Sequence, residues 1–484
     1  MTRHGTAVPR GQEVDPGRDP PQGRFGRMFP GLLPCEVSDG AIEELVARMG
    51  DPSRSRAANP RIPAGFTYLG QFIDHDITFD PTSKLDAVVD PRALVNFRTP
   101  RLDLDSVYGS GPAVQPFLYD WDSEPRGVRL LIGKTKGDTV DEIDDLPRNS
   151  QGRALIGDGR NDETAILAQL HLLFIRLHNA VVDHLCRAGK VRKRDKLLDE
   201  AQRLVRWHYQ WIVVHELLPA VVGRTMARDV LPPPEDGAAP TVQCRFFTWK
   251  DEPFIPVEFS GAAYRFGHSM VRPEYGIKRI PAGAGATVAM EHPPPLFPKL
   301  AGFKWLREDV VIDWERFFVL AGAQHSPQPS QKIDTAIVGP LFALPDEVPR
   351  QQELPRRNLQ RGRVLGLPSG QDVACVMHEP PLTEQELELE HMPQSREELK
   401  RAAPLWYYIL CETARAADPR GRPVPGRHLG PVGGRIVAEV LAGLLEGDPS
   451  SYLHSDPPWE PRELGTDGQF TMADLVTTAE GRPA

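Results

Sequence analysis

Apolar residues recur at helical spacing along most of the chain. Ile42, Leu45 and Val46 open the series, Phe66, Leu69, Phe72, Ile73 and Ile77 follow, and Leu167, Leu170, Phe174, Leu177 and Val181 form a long stripe. Such a repeat lines one face of a 3.6-residue helix, so each group predicts an amphipathic helix. A longer helix from about Lys196 to Val222 carries Trp207, Trp211 and Leu217, and two more are expected around Glu258–Val271 and Ile436–Leu445. Alternating strand patterns are scarce. The proline-rich stretches 232–240 and 293–298 cannot be helix interiors, because proline lacks the donor that the helix ladder needs. Residues 1–24 are rich in Pro, Gly and Arg with almost nothing apolar, the composition of a flexible arm. No internal repeat or linker marks a second domain. The expected fold is mainly α: a single large helical domain over residues 25–455 with long ordered loops, an N-terminal arm at 1–24 and a C-terminal tail at 456–484.

Composition narrows the function classes. The 484 residues suffice for one large core. Lys and Arg number 57 against 66 Asp and Glu, a net charge of −9 with no basic block, which argues against nucleic-acid binding. Glycine (42) and proline (49) are abundant, yet 40% of residues are hydrophobic and the mean hydropathy is −0.37, so ordered loops are expected rather than a disordered chain. Cys35, Cys186, Cys244, Cys375 and Cys411 are scattered, odd in number and without metal-ligand spacing, which makes a disulfide framework unexpected. No apolar run approaches the roughly 20 residues of a membrane helix, and the first residues lack a signal-peptide core. The expectation is a soluble protein, either cytoplasmic or secreted by a non-classical route.

Five segments offer chemistry. In GQFIDHDITFD, residues 70–80, Gln71 and His75 stand four apart and share one helix face, while Phe72, Ile73 and Ile77 point to the other. Asp74 and Asp76 flank the histidine, although a packed core histidine is the plain alternative. In GDGRNDE, residues 157–163, Asn161 or Asp162 can cap the following helix and Glu163 suits its positive end, which leaves Arg160 without a structural explanation. AYRFGHSMVRP, residues 263–273, sets a glycine before His268, and NLQRGR, residues 358–363, joins Asn358 to two arginines. In TPRLDLDSVYGS, residues 99–110, Asp103 and Asp105 alternate near Thr99, which suits either a cation loop or a solvated turn.

Taken in this order, the five segments resemble the animal-type haem peroxidases of the peroxidase–cyclooxygenase superfamily, in detail its bacterial members, from about GRFGRMFP at 23–30 to LGPVGGRIVAEVLAGLL at 429–445. The resemblance implies a helical fold around one haem b. It implies distal roles for Gln71, His75 and Arg160, with His268 as the proximal iron ligand and Asn358 holding that ligand's other ring nitrogen. Arg265 and Arg361 match arginines that pair with haem propionates, and Asp74 and Glu163 match carboxylates that become ester-linked to haem methyls. Calcium is implied at Asp76, Thr99, Asp103 and Asp105, with Arg101 giving a backbone carbonyl. The implied activity reduces hydrogen peroxide and oxidises a small donor, a halide, pseudohalide or phenolic, through a ferryl intermediate. Thr164 stands where one member has the methionine of a sulfur link, so that link is not expected. Arg265 stands where fatty-acid dioxygenases carry a tyrosine, which counts against that alternative. A peroxidase-like binding module without catalysis is the other alternative, and it is opposed by the presence of His75, Arg160 and His268.

Overall fold

The computed structural model describes residues 25–54, 56–79, 96, 98–135, 142–189, 193–234, 240–277, 293–323, 326–345 and 352–481. The arm predicted at 1–24 lies outside them. The first half of the chain forms helices α1 (Asp39–Gly50), α2 (Gly65–Ile77), α3 (Asp105–Tyr108), α4 (Ala165–Ala188), α5 (Arg194–Ile212), α6 (Leu218–Val222) and α7 (Arg224–Val230). The second half adds α8 (Val257–Gly261), α9 (Leu354–Val364), α10 (Gly370–Val376), α11 (Arg396–Arg401), α12 (Leu405–Glu412), α13 (Pro431–Glu446) and α14 (Met472–Ala479). Strand is confined to three small pairs. β1 (Phe25–Gly26) runs parallel to β5 (Ile255–Pro256), β2 (Ala58–Pro63) antiparallel to β6 (Pro329–Gln331), and β3 (Gly133–Thr135) antiparallel to β4 (Ile143–Asp145). The mainly helical expectation holds.

The predicted apolar stripes are the buried faces. Ile42, Leu45 and Val46 are buried on α1, Leu69, Phe72, Ile73 and Ile77 on α2, and Leu167, Leu170, Phe174, Leu177 and Val181 on α4. α2 packs against α4, and Phe72 stacks on Phe174 with ring centroids 4.5 Å apart. The start of α2 is pressed so closely on Phe317 and Phe318 that a Cβ at Gly65 would lie 2.7 Å from the Phe317 carbonyl oxygen, so only glycine fits there. Glu412, buried on α12, accepts from the Val432 and Gly433 amides at 3.0 and 2.6 Å and so caps α13 from a distance.

Four expectations change. The helix predicted from Lys196 to Val222 contains a π turn at Val213–Leu217. It falls just before Pro219, which has no N–H to continue the ladder. The helix predicted over Glu258–Val271 breaks at Ala262 (φ −136°) and continues as a 3-10 segment, Ala263–Met270; glycines at 261 and 267 weaken the α-helical alternative. α4 is, among the described residues, one helix long and apolar enough to cross a membrane, with a mean hydropathy of 1.5 over its best window. Yet 83% of that window is buried inside the fold, where it forms core. The segment after residue 455, set apart in the sequence as a tail, carries α14, which packs on α4 with Met472, Leu475 and Val476 buried. A reciprocal Thr471–Asp474 capping box starts this helix, and its eight residues are too few for a clear periodic signal.

Candidate functional site

Two histidine-bearing segments face each other across the core. α2 carries Gln71, Asp74 and His75, and the 3-10 segment Ala263–Met270, which packs on α2, carries Arg265 and His268. A 3.4 Å ion pair between Asp74 and Arg265 spans them. The third wall is the turn Gly159–Asp162 with Glu163, which leads into α4, and Asn358 comes from α9.

His75 is buried and hydrogen-bonded through Nδ1 to Asn161 Oδ1 at 2.9 Å, and Asn161 Nδ2 lies 3.0 Å from His171 Nδ1. Because the Asn161 amide donates to His171, its carbonyl oxygen accepts from His75, and this assigns the His75 proton to Nδ1. Nε2 keeps its lone pair. Burial, helped by the Arg160 charge, pushes the His75 pKa down to about 4, so the ring is neutral near pH 7. Asn161 therefore serves the histidine and not a helix end. The cap of α4 is Thr164, whose hydroxyl accepts from the Leu167 amide at 3.2 Å, while Asp162 is held in a bidentate pair by Arg148 at 2.6 and 2.8 Å.

Arg160 is neither solvated nor idle. Its Nη2 donates to the carbonyls of Thr78 (2.5 Å) and His75 (3.1 Å) at the C-terminal end of α2, and Nε and Nη2 hold Asp158. Nη1 has no partner among the described residues. Glu163 accepts from Gln71 Nε2 at 3.1 Å, and burial lifts its pKa to about 7 against the pull of Arg160. Asp74 behaves oppositely: burial would raise it, but Arg265, His75 and Arg160 hold it below the usual carboxylate range.

On the other side, His268 Nδ1 lies 2.8 Å from the Asn358 amide, and Nε2 has no partner among the described residues. The amide atom set there is Nδ2; turning the amide by half a turn would bring its oxygen to accept from Nδ1–H and would leave the Nε2 lone pair available to a metal. Arg265 is fixed by donating from Nε to the Ser260 carbonyl at 2.7 Å. Tyr264 stacks on Phe259 at 4.6 Å, directed into the core. Arg361 lies three residues beyond Asn358 on α9, and Arg357 precedes Asn358. Burial, then Arg265, depresses the Arg357 pKa. A Cβ added at Gly70 or Gly267, the neighbours of Gln71 and His268, would meet nothing within 4 Å. Open space beside both facing segments, together with an unpartnered imidazole nitrogen, fits a flat iron-bearing macrocycle between them.

The acidic loop adjoins His75 directly. One carboxylate oxygen each from Asp76, Asp103 and Asp105 lies within 4.8 Å of the others. Leu104, between the last two, is left-handed (φ 57°) and bends the chain there. Burial and the repulsion of Asp105 push the Asp103 pKa up to about 6 and raise Asp76 as well. Three mutually repelling carboxylates, two buried and one half-buried, suit a divalent cation. Thr99 Oγ1 donates to Asp103 at 2.8 Å, and Arg101 turns its guanidinium toward Asp448 at 3.5 Å.

A sequence model described as animal haem peroxidase matches residues 83–448. The chain belongs to the animal haem peroxidase family. Thyroid peroxidase of Canis lupus familiaris is 30% identical over 57% of this chain and 29% of that protein. Chorion peroxidase of Drosophila melanogaster is 28% identical over 78% and 45%, and the peroxidasin homolog of Homo sapiens is 26% identical over 82% and 26%. The chain thus spans less than half the length of these relatives. Two solved structures share the fold: peroxidase A of Dictyostelium discoideum (TM-score 0.60, 17% identity, 89% of both chains) and fatty acid alpha-dioxygenase of Oryza sativa (TM-score 0.61, 15% identity, 90% of this chain and 76% of that one).

Sequence reasoning missed His171, Asp158 and Arg98, and gave Asn161 a different task. A signal existed for His171, a polar residue on the otherwise apolar stripe of α4. None existed for Arg98, whose partner Asp158 lies 60 residues away.

Proposed function

We propose that the chain is a haem peroxidase that reduces hydrogen peroxide and oxidises a small donor, a halide, pseudohalide or phenolic. The observation that carries this reading is the neutral His75, fixed as the Nδ1–H tautomer by Asn161, opposite a His268 whose Nε2 is without a partner. His268 would hold the iron, Asn358 would orient it, Arg265 and Arg361 would take the propionates, and Asp74 and Glu163 would lie at the methyls. When bound, haem supplies the iron at which the peroxide O–O bond is cleaved and through which donors are oxidised. Within that frame His75 Nε2 takes a proton from peroxide and returns it to the departing oxygen, a role worth roughly 10²–10⁴-fold. Arg160 Nη1 offers a fixed donor to the negative charge that grows on that oxygen. Gln71, tied to Glu163, fixes the polar wall beside them. Asp76, Asp103 and Asp105, with Thr99 and the Arg101 carbonyl, would bind Ca²⁺ and stiffen the end of α2.

The test is the absorption spectrum of the purified protein with and without peroxide. A Soret band that shifts on adding one equivalent of peroxide and returns with a phenolic donor or iodide is expected. A protein that takes up no haem, or a haem protein that turns unsaturated fatty acid and O₂ into hydroperoxide but ignores peroxide, overturns the reading.

A further inference from the structure

A continuous chain of charged hydrogen bonds joins the acidic loop to Arg160. Arg98, buried, donates from Nη1 to Asp105 Oδ1 at 2.8 Å, and from Nη2 and Nε to Asp158 Oδ2 at 2.5 and 3.2 Å. Its Nη2 also reaches the Gly157 carbonyl at 3.1 Å. Asp158 is buried too, and it clasps Arg160 through the backbone amide at 2.9 Å, Nη2 at 2.7 Å and Nε at 3.2 Å. Both guanidinia lie over the Phe79 ring, at 5.7 and 4.7 Å. A single carboxylate, Asp158, is therefore shared by one arginine bound to the acidic loop and another bound to the end of α2 beside His75.

We infer that Arg98 is a positioning residue that couples cation occupancy of the Asp76–Asp103–Asp105 loop to the setting of Arg160. The inference rests on the peroxidase reading of the site. Four carboxylates, Asp76, Asp103, Asp105 and Asp158, are met by the guanidinia of Arg98 and Arg160 and by the charge of Arg206 near Asp103, which leaves net negative charge for a divalent ion to offset. An ion that takes Asp105 as a ligand weakens the Arg98–Asp105 bond and shifts Arg98 toward Asp158. Asp158, paired more strongly on that side, then holds Arg160 less tightly, and the guanidinium is freer to meet an anion bound next to His75. Planar bidentate geometry is essential, because one guanidinium must bridge two carboxylates at fixed angles, which a lysine ammonium does not do.

The experiment uses the full-length haem protein, with fluoride as the anion that binds ferric haem and accepts a hydrogen bond from the distal side. Fluoride affinity is read from the Soret shift in saturating Ca²⁺ and in a chelator, and Ca²⁺ affinity is read by chelator competition with and without fluoride. Ca²⁺ is expected to tighten fluoride binding about 5–20-fold, and fluoride to tighten Ca²⁺ binding by the same factor, since linkage is reciprocal. In Arg98→Lys and in Asp105→Ser both ligands still bind but the factor falls below about 2. If Arg98→Lys fails to fold, Asp105→Ser decides: its serine removes a loop carboxylate together with the bond to Arg98, so its Ca²⁺ affinity is measured first and the fluoride factor is then read at saturating Ca²⁺. A factor of one in the wild type, or the wild-type factor kept in the variants, overturns the coupling. Absence of a Soret band from the wild type defeats the haem assignment instead, and the two failures are distinguishable.

Discussion

Asn161→Leu tests the assignment of the distal base without touching the base itself. Leucine nearly matches asparagine in volume but accepts and donates nothing, so both His75 Nδ1 and His171 Nδ1 lose the partners that stand at 2.9 and 3.0 Å. Each buried group left unsatisfied costs about 1–3 kcal/mol, so a stability loss of about 2–6 kcal/mol is expected for the two. The rate effect follows from the tautomer. A net hydrogen bond of about 1.4 kcal/mol favours the form with its lone pair on Nε2 about tenfold over the other tautomer, and losing that bias lowers the competent fraction from about nine-tenths to about half. Stopped-flow mixing with peroxide should show the first Soret change slowed about twofold, with haem still bound. Asn161→Asp makes the complementary change. A carboxylate on Nδ1 raises an imidazole pKa by about 1–3 units, so the acid limb of the rate profile, near pH 4 in the wild type, should move upward. An Asn161→Leu protein that keeps its Soret band and reacts at the wild-type rate from pH 5 to 8 would refute the reasoning.

His268→Ala is expected to abolish haem retention, whereas His75→Ala keeps the Soret band and slows the peroxide reaction by about 10²–10⁴-fold; the reverse pattern would exchange their sides. Ca²⁺ must displace protons from the acidic loop, so its affinity, measured by calorimetry, should fall as the pH drops below the Asp103 value of about 6. Burial depresses His75 and His178 to about 4 and His171 to about 3, so the unfolded chain binds more protons below its own imidazole pKa of about 6.5. The contribution of these rings to stability is full above that value, declines as pH falls toward 4, and is read as a falling Tm. If Asp74 and Glu163 form ester links during turnover, acid–ketone extraction after peroxide treatment should leave haem on the wild type and release part of it from Asp74→Asn or Glu163→Gln; complete extraction from the wild type would exclude the links.

What was legible in the sequence was whatever local spacing determines. The stripes on α1, α2 and α4 follow from the 3.6-residue period, and His75 and Gln71 share a face for the same reason. The short 3-10 segment around His268 was not legible as such, because the break at Ala262 follows Gly261, where Leu365 and Leu367, about a hundred residues away in sequence, pack so closely that a Cβ would lie 2.9 and 3.3 Å from their methyls. Asn161 misled for a related reason. Asparagine before an apolar run is a sound capping signal, but Thr164 stands nearer the helix and takes that task, which frees the amide to reach a histidine 86 residues away in sequence.

The charged network shows why the remaining residues were invisible. Arg98 and Asp158 are 60 residues apart, and neither belongs to a periodic pattern, so only the folded chain brings them to 2.5 Å. Once buried, each becomes costly to leave alone: an isolated charge out of water carries a penalty of several kcal/mol, and removing one member of such a pair costs about 3–5 kcal/mol. The burial that hides these residues from pattern analysis also constrains them most strongly. His75 obeys the same physics with the opposite outcome, since a buried imidazole can shed its proton and a guanidinium cannot. The site therefore sorts its groups by whether they can neutralise themselves. Arginines 98 and 160 must be held by carboxylates, which fixes their positions, while histidines 75 and 171 become neutral and need only an amide between them, which leaves one nitrogen of His75 ready to accept a proton.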